Sequence, residues 1–438
     1  MNRRFASSER LFRARRIGAT VARAYLGIRA QRFIERRLSP PDMSARWSRE
    51  HRRSAKAIYA TAVELQGLIL KGCQFMGTRS DVVPDEYVEV LAQLQDRVPP
   101  RPFEVARGVV EQELEQPLAK AFASFETAPM ASASLAQVHR ARRHDGREVA
   151  VKIQYPEIEA LVESDLGNLR ALFRTLDWLE DDTLLLPLVE EMARVVPEEL
   201  NFVNEGRNAE EIAKFFAGRE DVGVPGVHWD LCSERVLVTD LAEGIKISDA
   251  AALRAAGIDT DHVVALLVET YCEQIFRRGF FHADPHPGNL LVQRLPDGAP
   301  RLVYLDFGLA KRLPSAFRRG ALDFVTALLQ SDRGAMAKAL VGLGFAVRDG
   351  SYNGLEDIAD AVLEAAQHIQ AKGHLDRELR EKLRKELPQR LRENPLVAVP
   401  SHLVLVARVV TMLSGLAHTL DSRVDLAGTI LPYVALPE

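Results

Sequence analysis

Apolar residues recur at helical spacing along most of this chain and alternate in only a few short places. Near the start Leu11, Phe12, Ala14, Ile17, Val21, Tyr25 and Ile28 fall at roughly helical intervals. Ala57–Phe75 reads as an apolar-rich helix. Pro84 stands at a helix start, and Glu86–Asp96 carries Tyr87, Leu91 and Leu94 on one face. Pro99, Pro100 and Pro102 break the chain before another helix over Val105–Glu115. The pattern then changes. Ser134–Ala141 alternates weakly, His144-Asp145-Gly146-Arg147 is a hairpin signal, and Val149–Gln154 is an apolar run carrying Lys152. Helical stretches return at Ile158–Leu179 and Leu184–Asn208, followed by a β-like run at Arg235–Asp240. A helix over Asp261–Arg278 leads to a loop and strand at Phe281–Val292, a turn at Asp297-Gly298 and a strand at Leu302–Leu305. Beyond Leu313 everything reads as helix, and no internal repeat or low-complexity tract interrupts it.

The composition is that of a globular protein: 438 residues, 47% hydrophobic and 27% charged. The net charge of −4 conceals an asymmetry, since residues 1–56 carry many arginines against only Glu9, Glu35, Asp42 and Glu50. Three readings of this basic segment stand open: a solvated helix packed on its own protein, an amphipathic arm drawn to anionic lipid, or an organelle presequence. No aromatic or base-reading pattern accompanies the arginines, which argues against nucleic acid as a partner. Cys73, Cys232 and Cys272 lie far apart and form no C-x-x-C, so free thiols in a reducing compartment are expected rather than disulfides or zinc. The most apolar stretch, Leu403–Leu420, is interrupted by Arg408, Ser414 and His418 and reads as an amphipathic or buried helix, not a membrane span. These features favour a cytoplasmic protein touching the inner face of a membrane peripherally, with the mitochondrial matrix as the alternative home.

The chemistry is concentrated in two segments. Phe281–Val292 reads F-H-A-D-P-H-P-G-N-L-L-V, and Tyr304–Gly308 reads Y-L-D-F-G. An Asp and an Asn five positions apart, followed by an Asp in an Asp-Phe-Gly turn, is the order a kinase-type site uses over the end of a triphosphate. Asp284 is then the catalytic-loop aspartate that orients or deprotonates an attacking hydroxyl or water. Asn289 and Asp306 supply the oxygen ligands that Mg²⁺ prefers. His282 and His286 hold the geometry of the loop. Upstream, Val149-Ala150-Val151-Lys152 is a strand delivering the lysine that contacts ATP phosphates in such sites, with Glu199 or Glu205 as its partner glutamate. Helices, a small sheet, helices, a catalytic loop and more helices give an α+β class. The expected architecture is a bilobal protein-kinase-like fold with a small antiparallel-sheet N-lobe, a helical C-lobe and an added N-terminal helical extension. The corresponding divisions are a basic amphipathic arm (1–56), the helical extension (57–122), the N-lobe with inserted helices (123–240) and the C-lobe (241–438).

Two kinase features are missing. Ala131-Ser132-Ala133-Ser134 stands where G-x-G-x-x-G would cover the phosphates, and alanine lacks glycine's freedom at positive φ. No A-P-E follows Asp306, which leaves little room for a platform seating a protein substrate.

At these residues the sequence resembles the UbiB family, the aarF-domain atypical kinase-like proteins tied to ubiquinone and related prenyl-lipid metabolism. The resemblance spans roughly residues 60–430. It rests on Pro129–His139 as an alanine-rich loop, Ser80–Pro100 as an N-terminal helical extension, and His282–Asn289 as the distinctive H-x-D-P-H-P-G-N loop. It implies a nucleotide-dependent ATPase or small-molecule kinase using ATP and Mg²⁺ at a membrane surface. The implied partners are a prenyl-lipid or other small-molecule substrate and other lipid-biosynthesis enzymes. Lys71 and Gln74 match the family's K-x-G-Q motif, which folds over the active site, and Glu199 and Glu205 match its E-x-D motif and the glutamate after it. Two departures stand out: Cys73 replaces a glycine of the first motif, and Asn201 replaces the aspartate of the second. They motivate an alternative, a nucleotide-responsive scaffold without productive chemistry. A protein kinase is the third reading, opposed by the Ala/Ser loop and the absent A-P-E.

Overall fold

The computed structural model describes residues 3–77, 84–94, 100–156, 158–179, 200–347, 353–372 and 401–434, with a few short stretches between them. The chain opens with helices α1 (Arg3–Leu38), α2 (Met43–Leu65), α3 (Gly67–Met76), α4 (Asp85–Leu91), α5 (Phe103–Glu113) and the single turn α6 (Leu118–Ala121). Strands β1 (Ser124–Phe125), β2 (Ala131–Ser132), β3 (Ala136–Arg142) and β4 (Glu148–Gln154) follow, then helices α7 (Ile158–Leu179) and α8 (Phe202–Phe215). Next come β5 (Val222–Gly223), β6 (Val236–Asp240), β7 (Ile245–Lys246), α9 (Ala250–Ala255) and α10 (Thr260–Cys272), the last continued by a π-helical turn over Glu273–Arg278. Strands β8 (Phe280–His282), β9 (Leu290–Arg294), β10 (Pro300–Tyr304) and β11 (Ala310–Arg312) lead into α11 (Ser315–Leu329) and α12 (Arg333–Leu343). The chain closes with β12 (Ala346–Val347), α13 (Asn353–Lys372), β13 (Leu396–Ala398), α14 (Ser401–Thr419) and α15 (Leu426–Val434). It divides into two compact units: Met1–Asn204 with Val227–Leu241, and Glu205–Gly226 with Ala242–Glu438.

The first unit joins a helical assembly to an antiparallel sheet of order β1-β3-β4-β6, with β2 also paired to β3. On β4 the period-two rule buries Val149, Val151 and Ile153 against Phe122, Val236 and Val238, and turns Ala150 and Lys152 to the other face. The helix expected over Ala57–Phe75 is in fact two, because Gln66 and Gly67 adopt φ of 53° and 59° and end α2. The expected boundary at residue 56 falls inside α2, which runs through it unbroken. Helix α1 is no loose arm: Arg13, Ile17 and Thr20 are buried, and the Thr20 hydroxyl meets that of Thr61 at 2.8 Å. Arg13 donates to Asp165 on α7 from Nε at 2.9 Å and again from Nη2, while its Nη1 donates to the Leu65 carbonyl at the end of α2. The helix expected over Leu184–Asn208 lies partly outside the described residues; residues 189–190, 192–193 and 196–197 are helical, and a turn at Leu200 precedes α8.

The second unit carries a four-stranded sheet, β5-β10-β9-β7, and the short ladder β8–β11. Among the described residues, the all-helical reading beyond Leu313 holds except for the small pair β12–β13. No helix among the described residues is long and apolar enough to cross a membrane.

Candidate active site

In the second unit two ladders frame both chemical segments. His282 lies opposite Ala310 in β8–β11, and Leu290 lies opposite Tyr304 in β9–β10. Residues 283–289 and 305–309 therefore leave and rejoin the same pairs of strands. Two further backbone bonds close the frame, Ala283 N–H to the Leu309 carbonyl at 2.8 Å and Leu305 N–H to the Asn289 carbonyl at 3.0 Å. Neither loop can shift without breaking a ladder, so the spacing of Asp284, Asn289 and Asp306 is set by backbone pairing.

Within the first loop Asn289 Nδ2 donates to Asp284 Oδ2 and to the Asp284 carbonyl, both at 3.3 Å. His286 caps the turn after it, its Nδ1 accepting from Gly288 N–H at 3.1 Å. Asp306 Oδ1 accepts from Gly308 N–H at 3.0 Å, which shapes the Asp-Phe-Gly turn. His282 is fully buried; its Nε2 donates to the Asp306 carbonyl, and its Nδ1 meets the Tyr271 hydroxyl at 3.2 Å. Burial holds this imidazole below its ordinary value, as expected of a neutral ring fixing a loop. Both histidines thus serve geometry, as read from the sequence.

Helix α8 approaches the same turn. Glu205, 2% exposed, places Oε2 3.7 Å from where a Cβ on Gly308 would stand. Three residues on, Asn208 Nδ2 donates to the Phe307 carbonyl at 3.0 Å. Asn208 is absent from the motif reading, although its i+3 spacing from Glu205 puts both on one helix face. Glu199 lies outside the described residues. A second unforeseen residue is Arg408 on α14, whose Nη2 donates to Asp284 Oδ1 at 2.6 Å.

The donor set suits Mg²⁺: two carboxylates and an amide oxygen, all hard. Among the described residues no group of three or more His, Cys, Asp or Glu could hold a metal by itself.

In the first unit Lys152 pairs with Val138 and Leu237 across the sheet, and its Nζ lies 5.2 Å from the centroid of the Phe202 ring. Of the alanine-rich segment, Ala131 and Ser132 form β2 rather than open loop; Ala133 N–H then bonds the Ala136 carbonyl, and Ser134 lies buried in the turn. Ser132 Oγ meets the Tyr155 hydroxyl at 2.9 Å. The motif's polar residues Gln137 and His139 are buried and bonded to each other at 2.9 Å, with His139 Nδ1 on the Glu126 carbonyl. Lys71 and Gln74 sit three residues apart on α3, and Gln74 Nε2 donates to the Leu94 carbonyl at 2.9 Å.

The two departures have packing roles. Cys73 is 4% exposed in the helical core, its thiol pushed up to about 12 by burial, so it is an inert filler. The close approach falls at Gly72, where a Cβ would lie 2.4 Å from Met192 Cε. Asn201 caps α8: its Oδ1 accepts from Val203 N–H at 3.0 Å and Asn204 N–H at 3.4 Å. Asparagine caps a helix as well as aspartate does, so the lost charge leaves the cap intact.

Residues 93–340 match the model of the ABC1 atypical kinase-like domain. The chain is 32% identical to the Arabidopsis thaliana protein Activity of BC1 complex kinase 8, chloroplastic, over 86% of this chain and 53% of that one. It is 35% identical to AarF domain-containing protein kinase 1 of Mus musculus, over 69% of this chain and 58% of that one. It thus spans somewhat more than half the length of these curated relatives. Rv3197 of Mycobacterium tuberculosis, solved in complex with erythromycin, superposes with a TM-score of 0.61 at 25% identity, covering 88% of this chain and 97% of that one. The α+β, kinase-like fold expected from the motif order is the fold found, and with more than half of its length matched the chain belongs to the ABC1 (AarF/UbiB) atypical kinase-like family.

Proposed function

We propose that this chain binds Mg-ATP and either hydrolyses it or passes its terminal phosphoryl group to a small or lipid molecule, in support of ubiquinone or another isoprenoid-lipid metabolism. What carries the reading is the pair of loops framed by β8–β11 and β9–β10, which gathers Asp284, Asn289 and Asp306. Bound Mg²⁺ would offset the charge on the phosphate oxygens. Asn289 and Asp306 would hold it, and Asp284 would orient the attacking hydroxyl or water. As the family resemblance implies, Lys152 would contact the phosphates with Glu205 or Glu199 as its partner, and Ala131–Ser134 together with Lys71 and Gln74 of α3 would contribute to nucleotide binding. The scaffold alternative drew on Cys73 and Asn201, and each has a packing account within its own unit. A membrane surface fits the arginines of α1 and its exposed Leu11, Phe12, Leu26 and Phe33.

The test is ATP turnover by wild type and Asp306→Asn, with and without anionic vesicles or a phenolic quinone-precursor mimic. Turnover that the variant loses is expected. Binding of Mg-ATP with no Asp306-dependent turnover under any condition would overturn the catalytic reading.

A further inference from the structure

Helix α14 is apolar on most of its length, yet Arg408 stands in its middle beside the fully buried Val409. A cation placed there needs a partner, because burying it uncompensated is costly. Asp284 supplies one, its carboxylate lying at 2.6 Å, with the two side chains 15% and 24% exposed. The other oxygen of the same carboxylate takes Asn289 Nδ2. Asp284 is therefore tied at both oxygens, one to a guanidinium and one to an amide, while its carbonyl accepts from His286 N–H at 2.7 Å. Buried Tyr271, which braces His282, feels both charges of the pair. The matched domain ends at residue 340, so this contact comes from a segment beyond it.

We propose that Arg408 is a positioning residue of the phosphoryl-transfer site: it fixes the Asp284 carboxylate in the orientation that receives the acceptor hydroxyl or water. This rests on the reading of the site as a Mg-nucleotide centre. A carboxylate is free to turn about its last bond, and the guanidinium removes that freedom. The same charge offsets the crowding of Asp284, Asp306 and an incoming polyphosphate. Helix α14 is then part of the working site, and the functional unit reaches past the matched domain.

The experiment uses the full chain as wild type, R408Q, R408K, D284N and the R408Q/D284N double variant. In R408Q, kcat for ATP turnover is expected to fall about 100-fold, the scale of a misplaced reacting group, with KM for Mg-ATP little changed. R408K should retain more turnover than R408Q, and added guanidinium ion should restore part of the R408Q loss without helping D284N. A kcat unchanged in R408Q, or a loss confined to KM, overturns the proposal; the second result would make Arg408 a phosphate ligand instead. Melting temperatures of the same set give a readout independent of turnover. Coupled partners predict that the double variant melts no lower than R408Q alone. Losses that simply add would show that the two side chains do not hold each other. If wild type lacks Asp306-dependent turnover, the functional reading fails, and the melting cycle still decides whether Arg408 holds Asp284.

Discussion

Removing the Arg13 guanidinium while leaving Asp165 in place is expected to cost the first unit about 3–5 kcal/mol, the usual penalty for stranding one charge of a buried pair. Asp165 is 0% exposed and Arg13 4%, so water cannot take the place of the lost partner. The change also takes a donor from the Leu65 carbonyl, at the point where α2 stops. At roughly 2–4 °C per kcal/mol for a unit of this size, Arg13→Leu should lower the melting temperature by about 6–20 °C. The double variant Arg13→Leu/Asp165→Leu should recover most of that loss, because a well-packed apolar pair replaces a buried ion pair at little cost. The pH dependence gives a second check. Burial pushes the Asp165 carboxyl above its ordinary value and Arg13 pulls it back. A carboxyl raised on folding binds its proton more tightly in the folded state, so it favours the fold at acid pH and loses that contribution as pH rises through the folded value. Without Arg13 the rise is larger, so the deficit of the single variant should be greatest at neutral pH and shrink on acidification. Thermal unfolding of the full chain followed by circular dichroism, at neutral and acid pH, measures all of this. A single variant that melts within a degree or two of wild type, or a double variant that melts below the single variant, would refute the docking of α1 through this pair.

Cys73→Gly, which restores the glycine of the family motif, should destabilise the chain by roughly 0.3 kcal/mol from helix propensity, and by more from the lost burial, as read by denaturant titration. Asn201→Ala should cost about 1 kcal/mol through the lost cap of α8 while Asn201→Asp stays near wild type; equal losses in both would remove the capping role. Burial holds His139 and His282 below their ordinary value of 6.5. The unfolded chain therefore binds those protons first, so stability is complete above about pH 6.5 and declines as pH falls below it. Melting temperature against pH should show this slope, and His139→Phe should flatten it even though it melts lower throughout.

Local rules carried the sequence reading furthest. Strand β4 was legible because alternation over Val149–Ile153 puts Lys152 opposite the buried valines. The loops at Asp284 and Asp306 were legible because their own prolines, glycines and histidines encode the turns that the two ladders then fix. The break between α2 and α3 was not, because a glutamine in the left-handed region has no signature of its own. Nor were the long-range charge pairs. Arg13 reaches Asp165 across 152 positions and Arg408 reaches Asp284 across 124, and each arginine merely interrupts a helical pattern in the sequence. Asn201 was legible only as a departure from the family motif; that its side chain caps α8 is a local fact the motif comparison does not carry.

Calorimetric titration of ATP into wild type and Asp306→Asn, each with and without Mg²⁺, tests the central claim most directly. The account predicts binding that needs both the metal and the Asp306 carboxylate. Equal binding by the variant, or binding indifferent to Mg²⁺, would contradict it.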